Sequence, residues 1–202
     1  MPELSHPQAL ARVAHLEAQM MQLRSQLVTD DLMQILNRRG LLEYLDALTK
    51  EVRWQSEHPD KRRNVVVRSL SVLFVDIDHF KAINTEHGHE AGDIVLKSIA
   101  ATIKDQVRAL DIVGRYGGEE IVVGLVGATA GDAERVAENI RVGIEQLKVV
   151  LPNHATVHVT ASLGVAEVTA NISLVEAIKL ADEALYAAKA NGRNQVVTAS
   201  QA

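Results

Sequence analysis

Residues 108–126, RALDIVGRYGGEEIVVGLV, decide the fold. Two apolar runs, DIVGRY (111–116) and EEIVVGLV (119–126), flank Gly117-Gly118, and a two-residue glycine turn between strand-like runs is a strong hairpin signal. Upstream, SVLFVDID (71–78) is a short β-rich run ending in two aspartates, and EAGDIVLKSIAATIKDQV (90–107) places Leu96, Ile99, Ile103 and Val107 at helical spacing. Downstream, Val136, Ile140, Ile144 and Leu147 share a helical face. Val157, Val159, Ala161, Leu163 and Val165 then alternate with polar or small residues, the pattern of one strand over 156–165. Leu174, Ile178, Ala181, Leu185 and Ala188 predict a last helix and QVVT (195–198) a last strand. An antiparallel hairpin set among crossover helices predicts an α+β domain with a central mixed sheet flanked by helices.

Further out, Ala9, Val13, Leu16, Met20, Leu23 and Leu27 are spaced 4-3-4-3-4. This run fits either the seam of a short two-stranded coiled coil or one amphipathic helix packed on its own domain. A second helix is expected to follow Asp30-Asp31, whose carboxylates suit a cap, to run through Leu41, Leu45, Leu48 and Val52, and to end before QSEHPDKRRN. The chain thus divides into an N-terminal helix over 1–29 and a domain over 30–202.

Composition narrows the function classes. At 47% hydrophobic, 202 residues have ample material for a core. A formal charge of −5, from 21 basic and 26 acidic residues, gives no global field for a nucleic-acid polymer or an anionic membrane. The absence of cysteine excludes disulfides, thiolate zinc sites and a cysteine nucleophile. No apolar run approaches the ~18 residues of a membrane helix, so a soluble, cytoplasmic protein without a membrane segment is expected.

Asp76 and Asp78 end an apolar strand on which a period of two puts them on one side, while Glu119 and Glu120 open another. Asp78 is read as a cap for the helix begun at His79. Asp76 with the Glu119-Glu120 pair would gather carboxylates that repel unless a divalent ion neutralises them, and oxygen donors without Cys favour Mg²⁺ or Mn²⁺. Lys81, Lys189 and Arg193 are candidates for phosphate oxygens, although the last two also suit a helix C-terminus. Asn84 and Asp93 offer an amide and a carboxylate able to pair with a guanine edge, or serve simply as a turn residue and a helix-start residue.

Four strings, DDLMQILNRRG (30–40), FVDIDHFKAINTEHGHEAGD (74–93), RALDIVGRYGGEEI (108–121) and ADEALYAAKANGRN (181–194), resemble in order and spacing the GGDEF family of diguanylate cyclases, over about residues 30 to 198. The resemblance implies a palm-like nucleotidyl-cyclase core carrying the GGEE hairpin, a catalytic domain over 30–202, and condensation of two GTP into cyclic di-GMP and two pyrophosphates across a homodimer. It implies Asp76, the Ile77 carbonyl and Glu119 as metal ligands, with Glu120 a weaker contributor. Glu119 would also take the proton of the attacking 3′-hydroxyl. Lys81, with the Phe80 amide nearby, would stabilise phosphate charge, Asn84 and Asp93 would read guanine, and Lys189 and Arg193 would bind the terminal phosphates. Arg108 and Asp111 form an R-x-x-D at the family's spacing for an inhibitory product site; otherwise such a pair is a surface ion pair.

Three departures from the pattern stand out. Leu32-Met33-Gln34-Ile35 stands where the family reads L-T-G-L, Ile121 replaces an aromatic, and Thr85 stands where an Asp often follows the Asn. Two other readings remain: a non-catalytic cyclic di-GMP receptor or GTP-binding regulator, and a cyclase making a cyclic mononucleotide.

Overall fold

A computed structural model describes residues 12–16, 19–20, 27–61 and 67–200. The elements are α1 (Arg38–Glu57), β1 (Leu70–Ile77), α2 (Phe80–His87), α3 (His89–Gln106), β2 (Ile112–Gly117), β3 (Glu120–Val126), α4 (Ala130–Glu145), β4 (Lys148–Val150), β5 (Thr156–His158), β6 (Ala161–Val168), α5 (Leu174–Ala190) and β7 (Val196–Thr198). One sheet has the order β2-β3-β1-β6-β7, antiparallel except for the parallel pair β6–β7. β4 and β5 form a separate hairpin.

β1 is buried at every position because helices cover both sheet faces. Leu73, Val75 and Ile77 face a core with α3 and α4, and Leu70, Val72 and Phe74 face a second core with α1 and α5. Gly164 of β6 allows α5 to lie directly on the sheet: a Cβ there would stand 1.9 Å from the Ala181 carbonyl oxygen. The mixed, helix-flanked sheet agrees with the expected fold class.

Four local expectations are corrected. The helix after Asp30-Asp31 starts only at Arg38, capped by Asn37 Oδ1, which accepts from the Gly40 amide, and it continues to Glu57. Asp30 Oδ1 instead accepts from the Leu32 and Met33 amides and closes a turn. The run 156–165 is not one strand: it breaks at Val159-Thr160, where Thr160 O accepts from the Asp78 amide and β6 begins in the main sheet. In the signature hairpin the register shifts between Arg115 and Gly117, so Gly117 pairs with Glu120 and the turn falls on Gly118-Glu119.

In the N-terminal region, residues 12–16, 19–20 and 27–28 are helical. Val13, Leu16, Met20 and Leu27 of the apolar seam are exposed, whereas Ala9 and Leu23 lie outside the described residues. Leu36 then bridges to Gly114 on the edge of β2. Among the described residues no helix is long and apolar enough to cross a membrane.

Candidate active site

The register places Asp76, on the last turn of the pleat in β1, directly opposite Glu120, the first residue of β3. Residues so paired across antiparallel strands have Cβ atoms about 4.5–5.5 Å apart, so two carboxylates share one edge of the sheet. Asp76 is nearly buried, and burial pushes its carboxyl above the usual carboxylate range. Lys189, in the last turn of α5, opposes that shift with Nζ 2.8 Å from Asp76 Oδ1, while Glu119 and Asp78 add to it. Glu120 is likewise raised, first by burial and then by Asp76, Asp182 and Glu119.

Among the described residues no three His, Asp or Glu side chains converge closely enough to hold an ion by themselves. The three carboxylates named from sequence thus share one region, Asp76 beside Glu120 with Glu119 at the turn, without closing on a single point. This set still suits a hard divalent cation. All its donors are oxygens, and its two raised carboxyls carry mutual repulsion that a dication would relieve.

Asp78 does not cap α2 as expected. β1 ends at Ile77, so the strand period no longer governs Asp78, which turns inward and is buried. Its carboxylate accepts from Thr160 Oγ1 (2.7 Å), Ser162 Oγ (2.8 Å) and the Asn194 amide (3.0 Å). His79 occupies the cap position with left-handed backbone and no side-chain cap bond.

A cleft of about 450 Å³ opens beside this edge, lined by Phe80, Lys81, Asn84, Thr85, His89 and Glu119. Lys81, Asn84 and Glu119 are thus brought together, whereas Asp93 is exposed on α3 and outside the lining. Gly92 explains how Asn84 fits: a Cβ there would come within 2.0 Å of Asn84 Oδ1. Sequence reading missed this role of Gly92, and missed His89. A glycine inside an otherwise regular helix was the available signal.

Arg108 and Asp111 are not a surface ion pair. Asp111 Oδ2 accepts from the Arg108 amide at 2.8 Å and Oδ1 from the Val126 amide at 3.0 Å, tying the turn before β2 to the end of β3. Arg108 is exposed and borders two clefts, one of them reaching Thr29, Gln34 and Leu36 of the segment after the N-terminal helix. Arg193 is exposed in the turn after α5, with a left-handed backbone.

A palm-like mixed sheet whose adjacent strands end in carboxylates, with a basic helix end and a polar cleft beside them, defines a domain of the nucleotidyl-cyclase class. The chain belongs to the GGDEF family: the family model described as diguanylate cyclase, GGDEF domain, matches residues 27–195. The chain is 44% identical over 129 residues to diguanylate cyclase A of Treponema denticola, covering 63% of this chain and 34% of that protein. It is 40% identical over 172 residues to the response regulator PleD of Caulobacter vibrioides, covering 84% and 36%. It therefore spans about a third of the length of these curated relatives. The crystal structure of the coiled coil and GGDEF domain of DgcB from Caulobacter crescentus in complex with c-di-GMP superposes with a TM-score of 0.83 at 28% identity, covering 95% of each chain.

Proposed function

We propose that this chain is a diguanylate cyclase that condenses two GTP into cyclic di-GMP and two pyrophosphates across a homodimer. The observation that carries the reading is the Asp76–Glu120 edge with Glu119 at its turn, facing a cleft lined by Lys81 and Asn84. Asp76, Glu119 and the Ile77 carbonyl would hold Mg²⁺ or Mn²⁺, with Glu120 contributing. When bound, such an ion neutralises triphosphate charge and acidifies a nearby hydroxyl.

The chain's own groups supply the rest. Lys81 and the Phe80 amide stabilise charge on the phosphates, and Asn84 and Asp93 read the guanine edge. Glu119 accepts the proton of the 3′-hydroxyl as its oxygen attacks the α-phosphorus of the GTP on the partner subunit, with pyrophosphate leaving. Lys189 and Arg193 hold the terminal phosphates of the chain's own GTP, which leave as pyrophosphate when the partner's 3′-oxygen attacks that nucleotide in turn. Because each site supplies one nucleotide, a lone subunit lacks the second reactant, and proximity across the dimer provides it. Arg108 and Asp111 form the inhibitory product site, Asp111 by shaping the turn and Arg108 by its exposed guanidinium.

Incubation of the purified protein with GTP and Mg²⁺, followed by chromatography, tests the reading. Cyclic di-GMP and pyrophosphate are expected. A cyclic mononucleotide, or binding of GTP or cyclic di-GMP without turnover, would replace it with one of the two alternatives.

A further inference from the structure

The turn after α5 is unusual: Gly192, Arg193 and Asn194 have successive φ of 118°, 64° and 47°. Left-handed backbone is unfavourable for non-glycine residues, and two in a row persist only where surrounding contacts hold them. The Arg193 amide donates to the Ala188 carbonyl at 3.1 Å, and the contacts made by side chains converge on Asn194. Its amide donates to Asp78 Oδ2 at 3.0 Å, its Oδ1 accepts from Arg141 Nη1 at 2.8 Å, and its Nδ2 donates to Glu145 Oε1 at 2.7 Å.

Each anchor is itself fixed. Asp78 is buried under the Thr160 and Ser162 hydroxyls. The Arg141 side chain is only 13% exposed and is held by Glu138 and Glu145 on α4. Asn194 is therefore clamped between the end of the strand that carries Asp76 and the last turn of α4. Arg193, immediately before it, is fixed in backbone but exposed in side chain.

We propose that Asn194 is a positioning residue: gripped by Asp78 and by the Arg141–Glu145 pair, it aims Arg193 at the terminal phosphates of the nucleotide. The proposal rests on the reading of Arg193 as a phosphate ligand and adds what directs it. A preset backbone spares the ordering that binding would otherwise require, so the clamp acts on phosphate affinity and not on the base.

The test measures binding of two probes to the full chain by calorimetry with Mg²⁺ present: guanosine 5′-(α,β-methylene)triphosphate, which cannot be condensed, and GMP. Asn194→Gly keeps a residue tolerant of positive φ while deleting the side-chain clamp, and Arg141→Met removes one anchor from outside the turn. Both are expected to weaken the triphosphate about tenfold, as Arg193→Ala does, with GMP affinity within about twofold of wild type. Combined with Arg193→Ala, Asn194→Gly should add nothing further. Equal losses for GMP and triphosphate, or an unchanged ratio in Asn194→Gly while Arg193→Ala lowers it, would overturn the clamp. An unchanged ratio in Arg193→Ala would overturn the clamp together with the phosphate role of Arg193. Neither result touches the cyclase reading, which product formation by the wild-type chain decides separately.

Discussion

Lys189 Nζ lies 2.8 Å from Asp76 Oδ1, so the acidic end of β1 carries its own cation. The same lysine is the proposed partner of a terminal phosphate, and the two roles compete for one ammonium. Lys189→Ala is therefore expected to move two affinities in opposite directions. Mn²⁺ alone, measured by electron paramagnetic resonance, should bind roughly threefold to tenfold tighter once the competing charge is gone. The methylene-linked GTP analogue should bind more weakly. Unchanged Mn²⁺ affinity would place the ion away from Asp76.

Asp76→Asn and Glu119→Gln preserve shape and remove one negative charge each. If both carboxylates hold the metal ion against the triphosphate, either change should lower cyclic di-GMP turnover by about 10²–10³ while the domain stays folded, as read by circular dichroism. Turnover within a few-fold of wild type in either variant contradicts that role.

The raised carboxyls of Asp76 and Glu120 give a pH dependence with a definite sign. An acid whose pKa is higher in the folded chain binds its proton more tightly there, so stability falls as pH rises from the ordinary carboxylate range through the raised value. Asp76→Asn removes one such group. In metal-free buffer, the melting temperature of Asp76→Asn minus that of wild type should grow as pH increases from about 4 to about 7. A difference that stays flat or shrinks would show that Lys189 outweighs burial at Asp76.

The fold was legible where side-chain period and turn chemistry act locally. The glycine pair between apolar runs marks the hairpin, and the run into Asp76 marks the central strand. Misreadings arose where a partner distant in sequence decided the outcome. Asp78 looks like a cap until Thr160, Ser162 and Asn194 are brought to it, and Thr160 is drawn from a continuous strand by the same contact. The bulge between Arg115 and Gly117 moves the turn by one residue, which no spacing rule reveals.

The segment that joins the N-terminal helix to the domain touches the signature turn through one side chain. Arg115 Nη1 pairs with Asp30 Oδ2 at 3.1 Å, and Arg115 Nε donates to the Gly118 carbonyl at 2.8 Å, one residue before Glu119. Asp30→Ala breaks a largely sheltered pair and also uncaps the turn at Leu32 and Met33, for an expected loss of about 1–3 kcal/mol. Hydrogen exchange should quicken at residues 115–121 while β1 stays protected. Unchanged exchange there would mean that Arg115 holds the turn without Asp30.

The apolar seam bears on how two sites come to face one another. Val13, Leu16, Met20 and Leu27 are 51%, 43%, 55% and 58% exposed, so within one chain these side chains remain in water. A second copy of the same helix would cover them, since the 4-3-4 spacing is that of a two-stranded seam. Fully burying a leucine or a methionine contributes about 1.5–3 kcal/mol, so Leu16→Glu with Met20→Glu should remove much of the association energy. The variant should keep the melting temperature of the domain and still bind the GTP analogue. Its specific activity should fall steeply at nanomolar protein and recover on concentration, because the fraction of dimer then follows mass action. Sedimentation of the wild-type chain as a monomer during normal turnover, or full specific activity of the variant at nanomolar concentration, would assign dimerisation to another surface.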